Sequence, residues 1–288
     1  MLPWWVFAFA SAIFATFFTI FRKKGTRKEN ALEFELTRTT FNALFGLLLL
    51  PFLTFKYTLT SILIIYFTSI LASIGILLAS KSLRHSEISQ VIPLHNLTPG
   101  FLAVLAFLFL GETLTRNQII GLVFLIIGAY VLETEHHNPL KSFLKHLKSR
   151  YVDYAIISAF IFSITALLDK YIINLYTTPF DFLFLIWIFI AINFMIISFI
   201  SHNGIKSIKN CIKTTKHNVV LTAFFSFLAN ASYLYALSLT YVSLVMPISK
   251  LSILMSTLIG GEIFHEKGIL KGAISSVIMI IGTLLIII

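Results

Sequence analysis

Cysteine is almost missing. Cys211 is the only one in 288 residues, so an internal disulfide is excluded and no thiolate framework for a metal exists. Charge is scarce too: 12% of residues are charged, and the 12 acids are outnumbered by 22 Lys and Arg. No glycine-rich phosphate loop and no low-complexity segment occur. Long polar stretches are lacking, which leaves no room for a separate soluble domain. A net charge of +10 on a soluble chain would suggest a nucleic-acid partner. Here the cations sit mostly in short connections between apolar runs, so no nucleic acid is expected and the membrane reading holds.

What is abundant is apolar surface, 58% of residues. A spanning helix needs about 20 predominantly apolar residues. The chain divides into about ten such segments: 3–21, 31–55, 59–80, 88–110, 117–133, 151–175, 180–200, 219–240, 243–264 and 269–288. The first carries its basic cluster after the apolar run, which marks a retained span and not a signal peptide. The clearest boundary is the basic stretch 134–150, where Leu140, Phe143, Leu144 and Leu147 recur at helical spacing. Either a short surface helix or a solvated linker fits it. The expected organisation is a first half over 1–133, a linker over 134–150 and a second half over 151–288.

The halves resemble each other. Ser89 falls on Ser243, Pro93 on Pro247, Leu97 on Leu251, Glu112 on Glu266 and Gly128 on Gly282, all at one offset. A fixed long period signals duplicated architecture. Five spans per half is an odd number, so the copies should be inverted. The fold expected is an all-α polytopic membrane protein of two inverted five-helix repeats. Seventeen Lys and Arg fall in the odd-numbered connections, against only Lys56, Arg116 and Lys170 in the even ones. The basic side is normally cytoplasmic. Both termini are therefore expected on the non-cytoplasmic side of a cell (inner or plasma) membrane.

The repeated block resembles the drug/metabolite transporter superfamily in its ten-helix EamA-type form. The residues carrying the likeness are Leu97-Thr98-Pro99, Gly111-Glu112, Gln118, Gly121 and Gly128, then Pro247, Glu266, Gly272 and Gly282. Gly261-Glu262 precedes His265-Glu266, and the constant offset selects the latter as the partner of Gly111-Glu112. The resemblance implies a secondary transporter whose binding region is lined by helices of both halves; it implies no substrate. Alternating access, in which the halves exchange conformations, is the mechanism such repeats allow.

Ionisable groups within apolar spans are candidate sites. Lys250 lies about seven residues into the ninth span and is matched by Asn96, while Ser249 is matched by His95. Each pair follows a proline, Pro247 or Pro93, which removes a backbone hydrogen bond and bends a helix. Lys250 either meets an anionic part of the substrate, with Asn96 and His95 opposite, or snorkels to the interface. Arg38 either contacts a substrate carboxylate or pairs with Glu35. His95 either relays a proton or hydrogen-bonds a neighbour. Trp187 and Tyr233 line the substrate path or simply pack. Glu112 and Glu266 either brace helix ends, the favoured reading, or bind substrate, and Asp169-Lys170 forms either an internal ion pair, again favoured, or a cavity pair. Gly128 and Gly282 suit close helix contacts, and the Phe-rich second, fourth, sixth and seventh spans suit lipid.

A buried lysine favours an amino acid or related organic anion and disfavours a purely cationic drug. The expected partners are that small molecule, the bilayer and a coupling proton or other ion, in a monomer or homodimer with no cofactor or metal. The rival reading is a membrane-embedded enzyme acting on a lipid or isoprenoid carrier. Its only acid–base cluster is His136-His137 near Glu133 and Glu135, which lacks a helical metal-ligand spacing.

Overall fold

The computed structural model describes residues 2–26, 29–85, 97–133, 150–201, 206–215, 217–252, 254–256, 259 and 269–287. Among them every regular element is helical. In chain order they are α1 (Trp4–Thr26), α2 (Ala31–Gly46), α3 (Leu59–His85), α4 (Thr98–Leu110), α5 (Arg116–Glu133), α6 (Arg150–Leu175), α7 (Pro179–Ile200), α8 (Lys206–Thr215), α9 (His217–Leu239), α10 (Val242–Ser249) and α11 (Ile269–Ile287). Five described helices, in α1, α3, α6, α7 and α9, are long and apolar enough to cross a bilayer, and four shorter apolar ones accompany them. Of the candidate linker only Arg150, the first residue of α6, is described; 134–149, with His136-His137, lie outside the described residues.

Two compact units are present. The first comprises Met1–Ser73 and Leu168–Leu239, the second Ile74–Leu167 and Thr240–Ile288. In the first unit α1 lies along α9, and α2 packs on α7, α8 and α9. In the second, α5 lies along α11 and α4 packs on α10. Thus α2, α4 and α5 each lie on their own counterpart from the other half of the sequence. Small residues permit this approach: a methyl group built on Gly121 would stand 2.5 Å from the Gly282 carbonyl oxygen, and one on Gly128 would stand 2.5 Å from Met279.

Several expectations from sequence need correction. The second span is not one helix over 31–55. After Gly46 it tightens into a 3₁₀ turn, Leu47–Phe52, around Pro51, whose ring nitrogen has no proton to donate. The polar stretch after α7 contains α8, whose Ser207, Cys211 and Thr215 recur every four residues and are buried against the α2–α9 side. Within the ninth span α10 ends at Ser249, Lys250 forms a single turn residue in the α region, and helical residues resume at Leu251. In the second and seventh spans Phe34, Phe182 and Phe194 are buried at 0–1% exposure, whereas Phe107 and Phe109 of the fourth span and Phe160 of the sixth are exposed as expected.

Polar side chains within the spans satisfy themselves locally. Thr37, Thr39 and Thr40 each donate to the carbonyl four residues back, at 2.8 Å. Where no water is at hand, this removes the cost of a bare hydroxyl. Asn193 of α7 reaches Ser69 Oγ on α3 at 3.0 Å. Lys170 does not form the expected ion pair with Asp169. It donates to the Leu237 carbonyl on α9 at 2.7 Å instead.

Candidate functional site

In the first unit the charges gather at the start of α2. Glu35 lies one turn before Arg38 on the same face, so the two meet within the helix. Arg38 Nε donates to Glu35 Oε2 at 2.6 Å, and Arg22 from the end of α1 donates to Oε1 at 2.5 Å. Glu35 and Arg38 are almost wholly buried, at 1% and 4% exposure. Two guanidinium groups thus share one carboxylate. Arg38 Nη1 also donates to Ser226 Oγ of α9 at 3.2 Å. The Asn42 amide fits with its oxygen on Arg38 Nη1 (3.1 Å) and its nitrogen on the Ala223 carbonyl (2.7 Å).

The Arg38 guanidinium stands over the rings of Trp187 (5.4 Å) and Phe18 (5.7 Å). That is cation–π range, and desolvation strengthens such a contact. Trp187 is buried, and its Nε1 donor finds no acceptor among the described residues. Tyr233 is half-buried on α9. Of the two expectations for Arg38, the structure shows the pairing with Glu35, and its further donors are taken by Ser226 and Asn42.

In the second unit, Lys250 closes α10, its backbone nitrogen bonded to the Met246 carbonyl at 3.0 Å. Pro247 lies within the preceding turn and is buried. The Lys250 side chain is half-buried, and its ammonium has no hydrogen-bond or ion-pair partner among the described residues. Beside it, Ser249 Oγ is buried and also unpartnered. An unmatched cation next to an unmatched hydroxyl, inside an apolar helix, is an arrangement that a ligand oxygen would complete.

Glu112 occupies a different role. Gly111 ends α4 in the left-handed region (φ +65°), and the Glu112 amide closes back on the Ala106 carbonyl at 3.2 Å. This turn presents the Glu112 carboxylate to the first turn of α10. It accepts from Val242 N (2.9 Å), Ser243 N (3.2 Å) and Ser243 Oγ (2.5 Å). Carboxylates are favoured at helix N-termini, where amide protons are otherwise unpaired. Gly128 and Gly282 sit in the α5–α11 contact. His95, Asn96, Pro93 and Glu266 lie outside the described residues.

Sequence reasoning passed over Asp181. Its carboxylate accepts from Thr54 N (3.1 Å), Thr54 Oγ1 (2.7 Å), Phe55 N (3.3 Å), Tyr57 Oη (3.1 Å) and Thr178 Oγ1 (2.5 Å). It thereby pins the 53–58 connection, in which Phe55 is held at φ +54°. The readable signal was Thr178-Pro179 three residues before an acid, the start of a capped helix. Partial burial, then the neighbouring Asp181 charge, push the Tyr57 phenol above the ordinary tyrosine range.

Known proteins match this architecture. The EamA-like transporter family matches twice, over residues 2–134 and 150–288. An uncharacterised protein of Methanocaldococcus jannaschii is 42% identical over 65 residues, 23% of this chain and 47% of that protein, so the match spans about half its length. A solved crystal structure described only as a protein shares 12% identity at a TM-score of 0.69, covering 97% of this chain and 94% of its own, which speaks for the fold alone. Two family matches that between them cover almost the whole chain, over an all-helical apolar architecture, settle the matter: this multi-pass membrane protein belongs to the EamA-like transporter family.

Proposed function

We propose that the protein is a secondary transporter that moves a small carboxylate-bearing metabolite, an amino acid or related organic anion, by alternating access between its two inverted repeats. The observation that carries the substrate class is Lys250, an ammonium without a partner among the described residues, beside the Ser249 hydroxyl, likewise unpartnered among them. A cation left unmatched within an apolar helix is costly unless a ligand completes it. The Arg38 guanidinium over the donor-only Trp187 points the same way. A cationic substrate would meet repulsion at both places.

In this reading the domains are residues 1–133 and 151–288, joined by the basic linker. The odd-numbered connections face the cytoplasm of an inner or plasma membrane. Pro247 has no N–H for the Ser243 carbonyl, which lets α10 bend ahead of Lys250 as the halves exchange states.

The test is ligand-induced thermal stabilisation of purified protein, screened with the common amino acids and small dicarboxylates, in wild type and Lys250→Ala. A ligand should raise the wild-type transition and leave the variant unmoved. The active compound should then exchange across vesicles unchanged in chemistry. Equal stabilisation of both proteins by every active compound would remove Lys250 from the site.

A further inference from the structure

Among the described residues, the transport reading leaves a half-buried acid deep in a span without a task. Asp169 stands on α6 six residues before Leu175, about 9 Å from that end at 1.5 Å per residue. Its neighbours one turn away on the same face, Thr165, Ala166, Ile172 and Ile173, are all buried. The outward face of the helix carries Ile157, Phe160, Tyr171 and Leu175 instead. Asp169 is half-buried although it belongs to the inward stripe. Its remaining accessibility therefore opens toward the protein side and not toward acyl chains.

The carboxylate has no hydrogen-bond or ion-pair partner among the described residues. Lys170, the adjacent cation, is committed to the Leu237 carbonyl. The element receiving that bond, α9, carries no Lys, Arg, Asp or Glu; its titratable groups are His217 at the far end, Tyr233 and Tyr235. Tyr235 packs on Phe7 at 4.5 Å. Tyr171 and Tyr176 pair with each other at 6.0 Å. The charges of α1, which lies along α9, are Arg22, Lys23 and Lys24 in its last turns, and the only charged group of α7 is Asp181, engaged by the 53–58 connection. Among the described residues no fixed cation thus serves Asp169, and the smallest ligand that neutralises a lone carboxylate is a proton.

We propose that Asp169 is the proton-carrying group of the transport cycle, loaded from water on one face of the membrane and emptied to the other. One O–H bond forms as the carboxylate takes up H⁺, and the same bond breaks on release; no other reactant is needed. The assignment rests on the transport reading, but its first test does not depend on a substrate.

Infrared pH titration of the full protein in liposomes, without added solute, should show a protonated-carboxyl band that titrates in wild type, vanishes in Asp169→Asn and returns, shifted, in Asp169→Glu. An identical titration in wild type and Asp169→Asn would overturn the proposal, whatever the substrate proves to be. In vesicles offered a mixture of labelled amino acids, a one-unit pH gradient supports at most about tenfold accumulation per coupled proton. Accumulation should approach that ratio in wild type and collapse to the unconcentrated level in Asp169→Asn. Accumulation that ignores pH and follows a sodium gradient would also refute it. Absence of any amino-acid flux would count against the substrate reading alone, leaving the infrared result to decide on Asp169.

Discussion

Removing the Glu112 carboxylate should loosen the start of α10 more than any exposed substitution nearby. Three donors converge on it: two backbone amides and the Ser243 hydroxyl, at 2.9, 3.2 and 2.5 Å. The carboxyl is 4% exposed, so water does not replace it readily. Hydrogen bonds to a charged acceptor contribute about 1.5–3 kcal/mol each, and a buried donor left unmatched costs about 1–3 kcal/mol. These values do not add, because the three donors share one acceptor. Losing the cap of a helix start costs about 0.5–2 kcal/mol, and burial of the orphaned neutral donors raises this to about 2–3 kcal/mol. Glu112→Ala belongs at that level. Glu112→Gln keeps one carbonyl oxygen for the first turn of the helix and should lose about 1–2 kcal/mol. The exposed neighbour Arg116→Gln should stay within about 0.5 kcal/mol of wild type. The assay is reversible unfolding in mild detergent, with all variants in one buffer. Adding Ser243→Ala completes a double-mutant cycle, whose coupling to Glu112→Gln should reach about 1 kcal/mol or more. A Glu112→Ala protein as stable as Arg116→Gln, or a cycle with no coupling, would refute the cap.

Two further outcomes follow from packing and titration. Gly121→Ala puts a methyl group 2.5 Å from the Gly282 carbonyl, so α5 and α11 must separate; overpacking of this kind costs about 1–3 kcal/mol and should lower the unfolding midpoint, whereas an unchanged midpoint would show that the contact yields freely. Asp181→Asn removes the charge that, after partial burial, holds the Tyr57 phenol protonated. Alkaline ultraviolet titration should then show one tyrosine ionising at lower pH than in wild type. The sign follows from the raised phenol: its stabilising share is present below the ordinary tyrosine range and is lost as pH climbs through the shifted one.

Much of the helix order was legible, because a bilayer-length apolar run admits few alternatives to a helix. The constant offset between Glu112 and Glu266 made the duplication readable as well. Three things were hidden for physical reasons. Hydropathy cannot separate a phenylalanine in lipid from one in the protein interior, since both surroundings are apolar; Phe34 and Phe182 were lost that way. The α8 helix is too short and polar to register as a span, although Ser207, Cys211 and Thr215 fall on one stripe and Lys206, Lys209 and Lys213 are exposed. Partners far apart in sequence, such as Asp181 with Thr54 or Glu112 with Ser243, carry no local signature. At the candidate site, sequence named Arg38, Trp187, Lys250 and Ser249 but overlooked Asn42 and Ser226, whose polarity within apolar spans was the available hint.

The pairing of α2, α4 and α5 with their own duplicates has an evolutionary reading. Contacts in which a surface meets its own copy are the isologous kind that build symmetric dimers. Gly121 against Gly282 is such a seam, now closed within a single polypeptide. Fusion freed each side of that seam to drift separately, so one copy can hold Lys250 where the other holds Asn96. A self-associating ancestor could not have made that distinction between its two halves.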